Sequence, residues 1–376
     1  MRENFDICVI GGGVIGLSIA IHAAQKGAKV VIVEKGQLGQ EASGGRAGLL
    51  TTVSEGSSEE HPYARLSREA LQYLLHWIPE LQSKTQISSG LVQQDLLRLS
   101  INHEETSILE DTFQLQSAAN PGTTVLSAEK AREIEPLLSP HIQMAVRSPG
   151  EYHVDPVQYS HALAKMARKL GVTIKEQTEA VQLIQQNQKL HGILTNHNDQ
   201  IRAKTTVLAA GAWSALLARW AKLKLPVYPL KGQIIVLKQG NIDLNVMINT
   251  SRGYILSKPN GTVVLGATNE REKFNKAITP KGLEQLLPLF DYVPELKRCE
   301  IQELWAGLRP ATSDGQPIIG AVPEWEGFYL ATGHTRHGVL LSGITGHLVT
   351  QELEMNKTPN LLNAFGFERF TTAGMR

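Results

Sequence analysis

Cysteine is almost absent from this 376-residue chain, with Cys8 and Cys299 the only two. That excludes a disulfide framework and suits a reducing cytoplasm. An excess of one charge is missing too. Lys and Arg number 37 against 36 Asp and Glu, so the formal charge is +1, and no basic run occurs. No bulk attraction to nucleic acid or anionic lipid follows. His, Cys and carboxylates nowhere gather at ligand spacing, so no metal is expected. A nucleophile–base motif is also lacking. Long apolar runs are scarce. The stretch Ile7 to Ala24 is broken by three consecutive glycines and His22, and it falls short of the ~20 residues that span a bilayer. The N-terminus shows neither the basic start nor the cleavage site of a secretory signal. A cytoplasmic protein without membrane association is the expectation.

Glycine, in contrast, is plentiful at 33 residues, and its placement carries information. Phe5 to Ile10 reads as a buried parallel strand, apolar on both faces. Gly11-Gly12-Gly13-Val14-Ile15-Gly16 follows and opens a helix running to about Gln25, where Gly27 supplies a stop. Lys29 to Glu34 is a second β-branched run. In this G-x-G-x-x-G, Gly11 permits the tight turn, Gly13 lets backbone approach a pyrophosphate, and Gly16 lets helix and strand pack closely. The helix N-terminus adds free N–H groups and partial positive charge. Glu34, 23 residues after Gly11, can accept from ribose hydroxyls and would repel a 2′-phosphate, which favours FAD or NAD over NADP.

Three further segments invite a ligand but leave alternatives open. Glu41 to Leu50 is a run of small residues around Arg46, suited to lying against a planar ligand or to a mobile surface loop. Thr205 to Ser214 reads as a core strand whose small-residue end could pass beneath an adenosine. Near the C-terminus come Trp305-Ala306-Gly307-Leu308-Arg309-Pro310 and Gly333-His334-Thr335-Arg336-His337-Gly338. Arg309 sits among apolar and small residues, where an unpaired guanidinium is costly. It has either a buried carboxylate partner or a substrate carboxylate to grip bidentately. His334 and His337 are candidates for catalysis, although a satisfied structural histidine is commoner.

Elsewhere the pattern predicts helices over Ser67 to Ile78, Val157 to Leu170 and about Thr345 to Leu353. It predicts strands at Val172 to Glu176, Val207 to Gly211, Gly232 to Leu237, Gly253 to Ser257 and Val263 to Ala267. Pro259-Asn260-Gly261 is a hairpin turn between the last two. Residues 90–150 show no clean period, and Leu304 onward returns to an α/β texture. The expected fold is α/β, a discontinuous Rossmann-like domain (1–85, 145–225, 304–376). An antiparallel-sheet α+β substrate domain (86–144, 226–303) is inserted in it.

In order and spacing these motifs resemble the FAD-dependent D-amino acid oxidase superfamily across nearly the whole chain, and within it the glycine-oxidising branch associated with thiamine biosynthesis. The carrying residues are Gly11 to Gly16 with Glu34, Leu230-Lys231-Gly232-Gln233, Gly253-Tyr254-Ile255, Gly266-Ala267-Thr268, Trp305 to Pro310 and Gly333 to Leu340. The resemblance implies that Arg309, Tyr254 and Arg336 bind and orient a substrate carboxylate. It implies FAD contacts from Gly11, Gly13, Val14, Ile15, Gly16, Glu34, Lys35, Ala42, Ser43, Ala47, Gly48, Leu49 and Ala180. His334, Thr335, Arg336, His337, Gly338, Val339 and Leu340 would wrap the flavin pyrimidine end. FAD would be non-covalent, because Cys299 is displaced from the position that carries a covalent flavin.

The implied reaction is oxidative deamination of glycine and other small D- or N-methyl amino acids. Hydride passes to flavin N5, the imine is hydrolysed with release of ammonia, and oxygen leaves as hydrogen peroxide. A dehydrogenase passing electrons to quinone or a partner subunit, and a non-catalytic flavin-binding assembly protein, are the alternatives. A homo-oligomer and hand-off of the imine to a thiazole-forming enzyme are left open. Arg46, Asn269 and the segment Thr51 to Pro62, read as a lid, depart from the superfamily pattern.

Overall fold

A computed structural model describes residues 3–52, 61–120 and 122–371. Most of the expected lid, residues 53–60, therefore lies outside the described residues. The chain builds two eight-stranded sheets.

The first sheet follows from the βαβ signal. Its path runs Ile318–Ala321, Phe328–Thr332, Gln200–Leu208, Glu3–Ile10, Val30–Val33 and Thr173–Lys175. Along this path the pairs from Phe328–Thr332 to Thr173–Lys175 are parallel. A hairpin of Ala180–Gln186 and Lys189–Thr195 joins it beside Gln200–Leu208. One face is covered by helices Val14–Gln25, Pro62–Thr85, Pro156–Lys169 and Gly338–Met355, which bury one continuous apolar cluster. Asp155 caps the third by accepting from the Val157 and Gln158 N–H groups, and Pro156 occupies its first turn.

The second sheet orders Ile301–Thr312, Val227–Lys238, Thr262–Gly266, Gly253–Lys258, Met247–Thr250, Val92–Ser100, Met144–His153 and Thr124–Ser127. Only the pair Met247–Thr250 with Val92–Ser100 is parallel. Successive side chains on a strand point to opposite faces, so this sheet is two-sided in single-residue steps. The row Leu97, Ile248, Ile255, Leu265 and Ile235 enters the core. The next row, Arg98, Asn249, Tyr254, Gly266, Ile234 and Trp305, faces the other way, toward the first sheet's glycine turn.

Several expectations move. The helix expected from Ser67 spans Pro62–Thr85 and contains Pro79. The last helix starts at Gly338, seven residues before Thr345, because Gly343 and Gly346 weaken helix propensity locally yet serve packing. A Cβ on Gly346 would lie 2.7 Å from the Ser18 backbone, and one on Gly343 2.7 Å from the Trp77 ring. Hence His334 to Leu340 is loop only as far as His337, which caps the helix. The strand expected to reach Gly211 ends at Leu208. Residues 145–153 and 304–312, expected in the Rossmann-like part, pair within the second sheet as parts of Met144–His153 and Ile301–Thr312. Sheet membership changes near residues 154 and 313 rather than at 145 and 304. Texture alone misled here, since a long strand that is half cavity wall lacks a clean alternation.

Candidate functional site

Between the two sheets lies a cavity of about 1020 Å³. The glycine turn forms one end. Gly11 takes φ +110°, where a Cβ would clash with the Ala209 carbonyl oxygen, and a Cβ on Gly16 would clash with the Gly11 carbonyl oxygen. The first turn of Val14–Gln25 meets the cavity, with Ser43 Oγ accepting from the Val14 N–H at 2.9 Å. Glu34 closes the second strand. Its Oε2 accepts from Gly12 N–H at 2.7 Å and its Oε1 from Gly36 N–H at 2.8 Å, which orients the carboxylate and leaves lone pairs for hydroxyl donors. Lys35 lies over the Trp213 ring at 3.6 Å.

The small-residue run is a wall, with Ala42, Ser43 and Ala47 to Leu49 lining the cavity. Arg46, the departure noted in that run, clamps it to the second sheet. Its guanidinium meets Glu303 in a bidentate pair at 3.0 and 2.7 Å and donates to the Gly44 carbonyl at 2.7 Å.

At the far end Arg309 projects from Ile301–Thr312 across Gly232 of the neighbouring strand. Any side chain at 232 would strike the guanidinium. Arg309 Nη1 donates to the Thr268 carbonyl at 3.0 Å and to Asn269 Oδ1 at 3.2 Å, and Arg336 Nη2 donates to the same Oδ1 at 3.2 Å. Among the described residues no carboxylate pairs with Arg309. Burial and the neighbouring Arg336 pull its pKa down, as expected of a cation short of an anion. Tyr254, in the same wall, has its phenol pushed up to about 12 by burial, so it stays a donor. A buried ion pair, Lys231 with Glu270 at 3.1 Å, together with Gln233 donating to Glu270 at 2.8 Å, fixes the segment that presents Thr268 and Asn269.

Of the residues expected to touch substrate or FAD, all line this cavity except Gly16 and Leu340, which pack behind it. His334 is buried, with Nε2 3.3 Å from Thr345 Oγ1 and its pKa lowered to about 3. His337 Nδ1 lies 2.6 Å from the Tyr63 hydroxyl. Sequence reasoning missed Arg98 and Asn249 in the wall, and Lys258 behind it.

Burial also holds His22 near 4 and His153 near 3. Each of the three histidines takes up a proton near the usual 6.5 when unfolded but not when folded. Their stabilisation is whole above that value and is lost as pH falls toward the folded values. The unfolding midpoint should drop steeply from pH ~6.5 toward pH 4, with up to about three extra protons bound on unfolding by these histidines. An unchanged urea midpoint at pH 4.5 would refute these burials.

Fold and cavity define a dinucleotide-dependent redox protein whose site ends in two arginines. The chain belongs to the FAD-dependent oxidoreductase family, whose model, described as FAD dependent oxidoreductase, matches residues 6–352. It is similar to the glycine oxidase of Geobacillus kaustophilus, 32% identical over 372 residues and covering 98% of each chain. The crystal structure of glycine oxidase from Geobacillus kaustophilus superposes with a TM-score of 0.92 at 31% identity, covering 98% of this chain and 100% of that one. The bifunctional protein ThiO/ThiG of Synechocystis sp. is 28% identical over 99% of this chain and 55% of its own length. FAD fits the residues present. The space above Gly13, the start of Val14–Gln25 at the cavity and the Glu34 carboxylate suit a pyrophosphate and a ribose. The Ala47 to Leu49 backbone offers a flat wall for a ring. Among the described residues no helix is long and apolar enough to cross a membrane, and no cluster has the makings of a metal site.

Proposed function

We propose that this enzyme oxidises glycine and other small amino acids, D- or N-methyl, to the imine, which water converts to the oxo acid and ammonia, or methylamine where the nitrogen carries a methyl group. The observation that carries this reading is Arg309, a half-buried guanidinium facing the cavity with no carboxylate partner among the described residues. It would hold the substrate carboxylate bidentately, with Tyr254 donating a third hydrogen bond and Arg336 closing the site. Asn269, bonded to both arginines, would keep their planes apart and leave room for little beyond a methyl group. Gly13, Val14, Ser43, Glu34 and the wall Ala47 to Leu49 would hold FAD, which supplies the hydride acceptor and returns electrons to oxygen as peroxide. No side chain need act as base if the amine binds deprotonated; the chain contributes positioning and charge complementarity.

Non-covalent FAD is supported by the thiols, since Cys8 is sealed in its strand and Cys299 packs behind the second sheet. A reducing cytoplasm has the same scarcity of cysteine as its support. Transfer of the imine to a thiazole-forming enzyme has the name of the Synechocystis protein as its support.

The test is to record flavin spectra and peroxide from the purified holoprotein with glycine, sarcosine, D-alanine and D-proline. Bleaching of the flavin with peroxide release is expected, fastest with the smallest substrates. Bleaching without peroxide would favour a dehydrogenase; no bleaching with any of them would sink the reading.

A further inference from the structure

Lys258 ends the strand Gly253–Lys258 and is 4% exposed, yet no carboxylate pairs with it among the described residues. Its ammonium donates instead to acceptors on two other segments: the Ala47 carbonyl, the Val154 carbonyl at 2.9 Å and His153 Nδ1 at 3.2 Å. Burying an ammonium on neutral acceptors is unfavourable. Burial draws this lysine down to about 7, and Asp155 opposes that only in part.

The acceptors explain what is gained. Ala47 lines the cavity, while Lys258 stands one peptide behind it. Gly48, at φ +67°, is pressed so close to Val154 and Pro156 that a Cβ would lie 2.8 Å from Pro156 Cγ. Val154 N–H donates to the Gly48 carbonyl and Leu50 N–H to the Tyr152 carbonyl, both at 2.9 Å. The wall is thus stitched to the end of Met144–His153 by backbone bonds, and the carbonyls of Ala47 and Val154 turn toward one point. Two carbonyl oxygens facing one site repel unless a donor lies between them. Lys258 is that donor. It comes from the second sheet, so it ties wall, strand end and substrate-side sheet together.

We propose that Lys258 is a positioning residue for FAD: by joining the Ala47 and Val154 carbonyls it holds the Ala47–Leu49 backbone in the shape that receives the flavin ring, and it sets a positive charge behind that wall. The inference rests on the reading of Ala47 to Leu49 as the flavin-facing wall.

Four variants test it: Lys258→Met, Lys258→Gln, Lys258→Arg and Ala47→Leu. Apoprotein of each is titrated with FAD, and the midpoint potential of the bound flavin is measured at pH 6, where the lysine is protonated. Met should raise the FAD dissociation constant by ~10-fold or more because both carbonyls lose their donor. Gln should raise it less, and Arg should stay near wild type. The potential should fall in Gln and hold in Arg, since a nearby cation favours the electron-rich flavin. If Met does not fold, the Gln and Arg pair decides. A lowered apoprotein melting temperature, with Gln and Arg alike in potential, would overturn the proposal in favour of plain structural support. If Ala47→Leu weakens FAD while Lys258→Gln and Lys258→Met bind as wild type, Lys258 alone has been misread. If Ala47→Leu also binds FAD normally, the flavin-facing wall itself is wrong.

Discussion

Arg309→Ala is expected to abolish turnover while leaving FAD bound. Losing a desolvated bidentate contact to a carboxylate costs about 3–5 kcal/mol, a fall of ~10²- to 10⁴-fold in kcat/KM. The fall should appear in kcat as well as KM, because the same contact aligns the α-carbon with the ring. Folding should be spared. Arg309 is half-buried, and its own partners are one carbonyl and one exposed amide, both of which water can replace. Steady-state kinetics with glycine, alongside the flavin absorbance ratio and a melting curve, check this. Loss of FAD together with activity would show that Arg309 serves the cofactor. Retained activity would move the carboxylate to Arg336 or elsewhere.

Gly13→Val should have the opposite signature: a folded apoprotein that no longer retains FAD. The three signature glycines differ in what forbids a side chain. At Gly11 and Gly16 the obstacle is the protein's own backbone, so substitution there perturbs the fold. Gly13 has φ −78° and ψ 179°, a conformation any residue adopts. Its Cβ would meet only Ser43 Oγ, at 2.9 Å, a side chain able to turn away. The space above Gly13 is therefore not demanded by packing, and the proposed reading gives it to the phosphates. Affinity should drop ~10³-fold or more, as two methyls displace the pyrophosphate from the helix N-terminus. The apoprotein melting temperature should stay within a few degrees. Wild-type FAD content in this variant would place the pyrophosphate elsewhere.

What could be read from sequence was local. The turn Gly11 to Gly16, the strand on either side and Glu34 lie within some thirty residues, and their chemistry is fixed by backbone geometry. Arg309 and Tyr254 were legible as residues, since a guanidinium amid glycines and a Tyr after a strand-opening glycine stand out. Their adjacency was not, because it depends on a register that runs through four strands. Arg46 looked like an intrusion in a small-residue run until Glu303, 257 positions away, was seen beside it. Lys258 gave no signal at all: a lysine before Pro-Asn-Gly reads as a solvated hairpin end, and its acceptors lie more than a hundred residues off. The last helix was clipped because its glycines serve close approach to neighbouring helices, a demand invisible to propensity.

The alternation of rows on the second sheet bears on how this enzyme can diversify. Core and cavity wall are neighbouring positions on the same strands, so deleting or inserting one residue within a strand would turn greasy side chains to the substrate and polar ones to the interior. Substitution carries no such penalty. Arg98, Asn249, Tyr254 and Ile234 can each be exchanged while the row behind them, Leu97, Ile248, Ile255 and Ile235, stays intact. Lineages built on this sheet should therefore differ in substrate through point changes along that one row, with length changes confined to the turns.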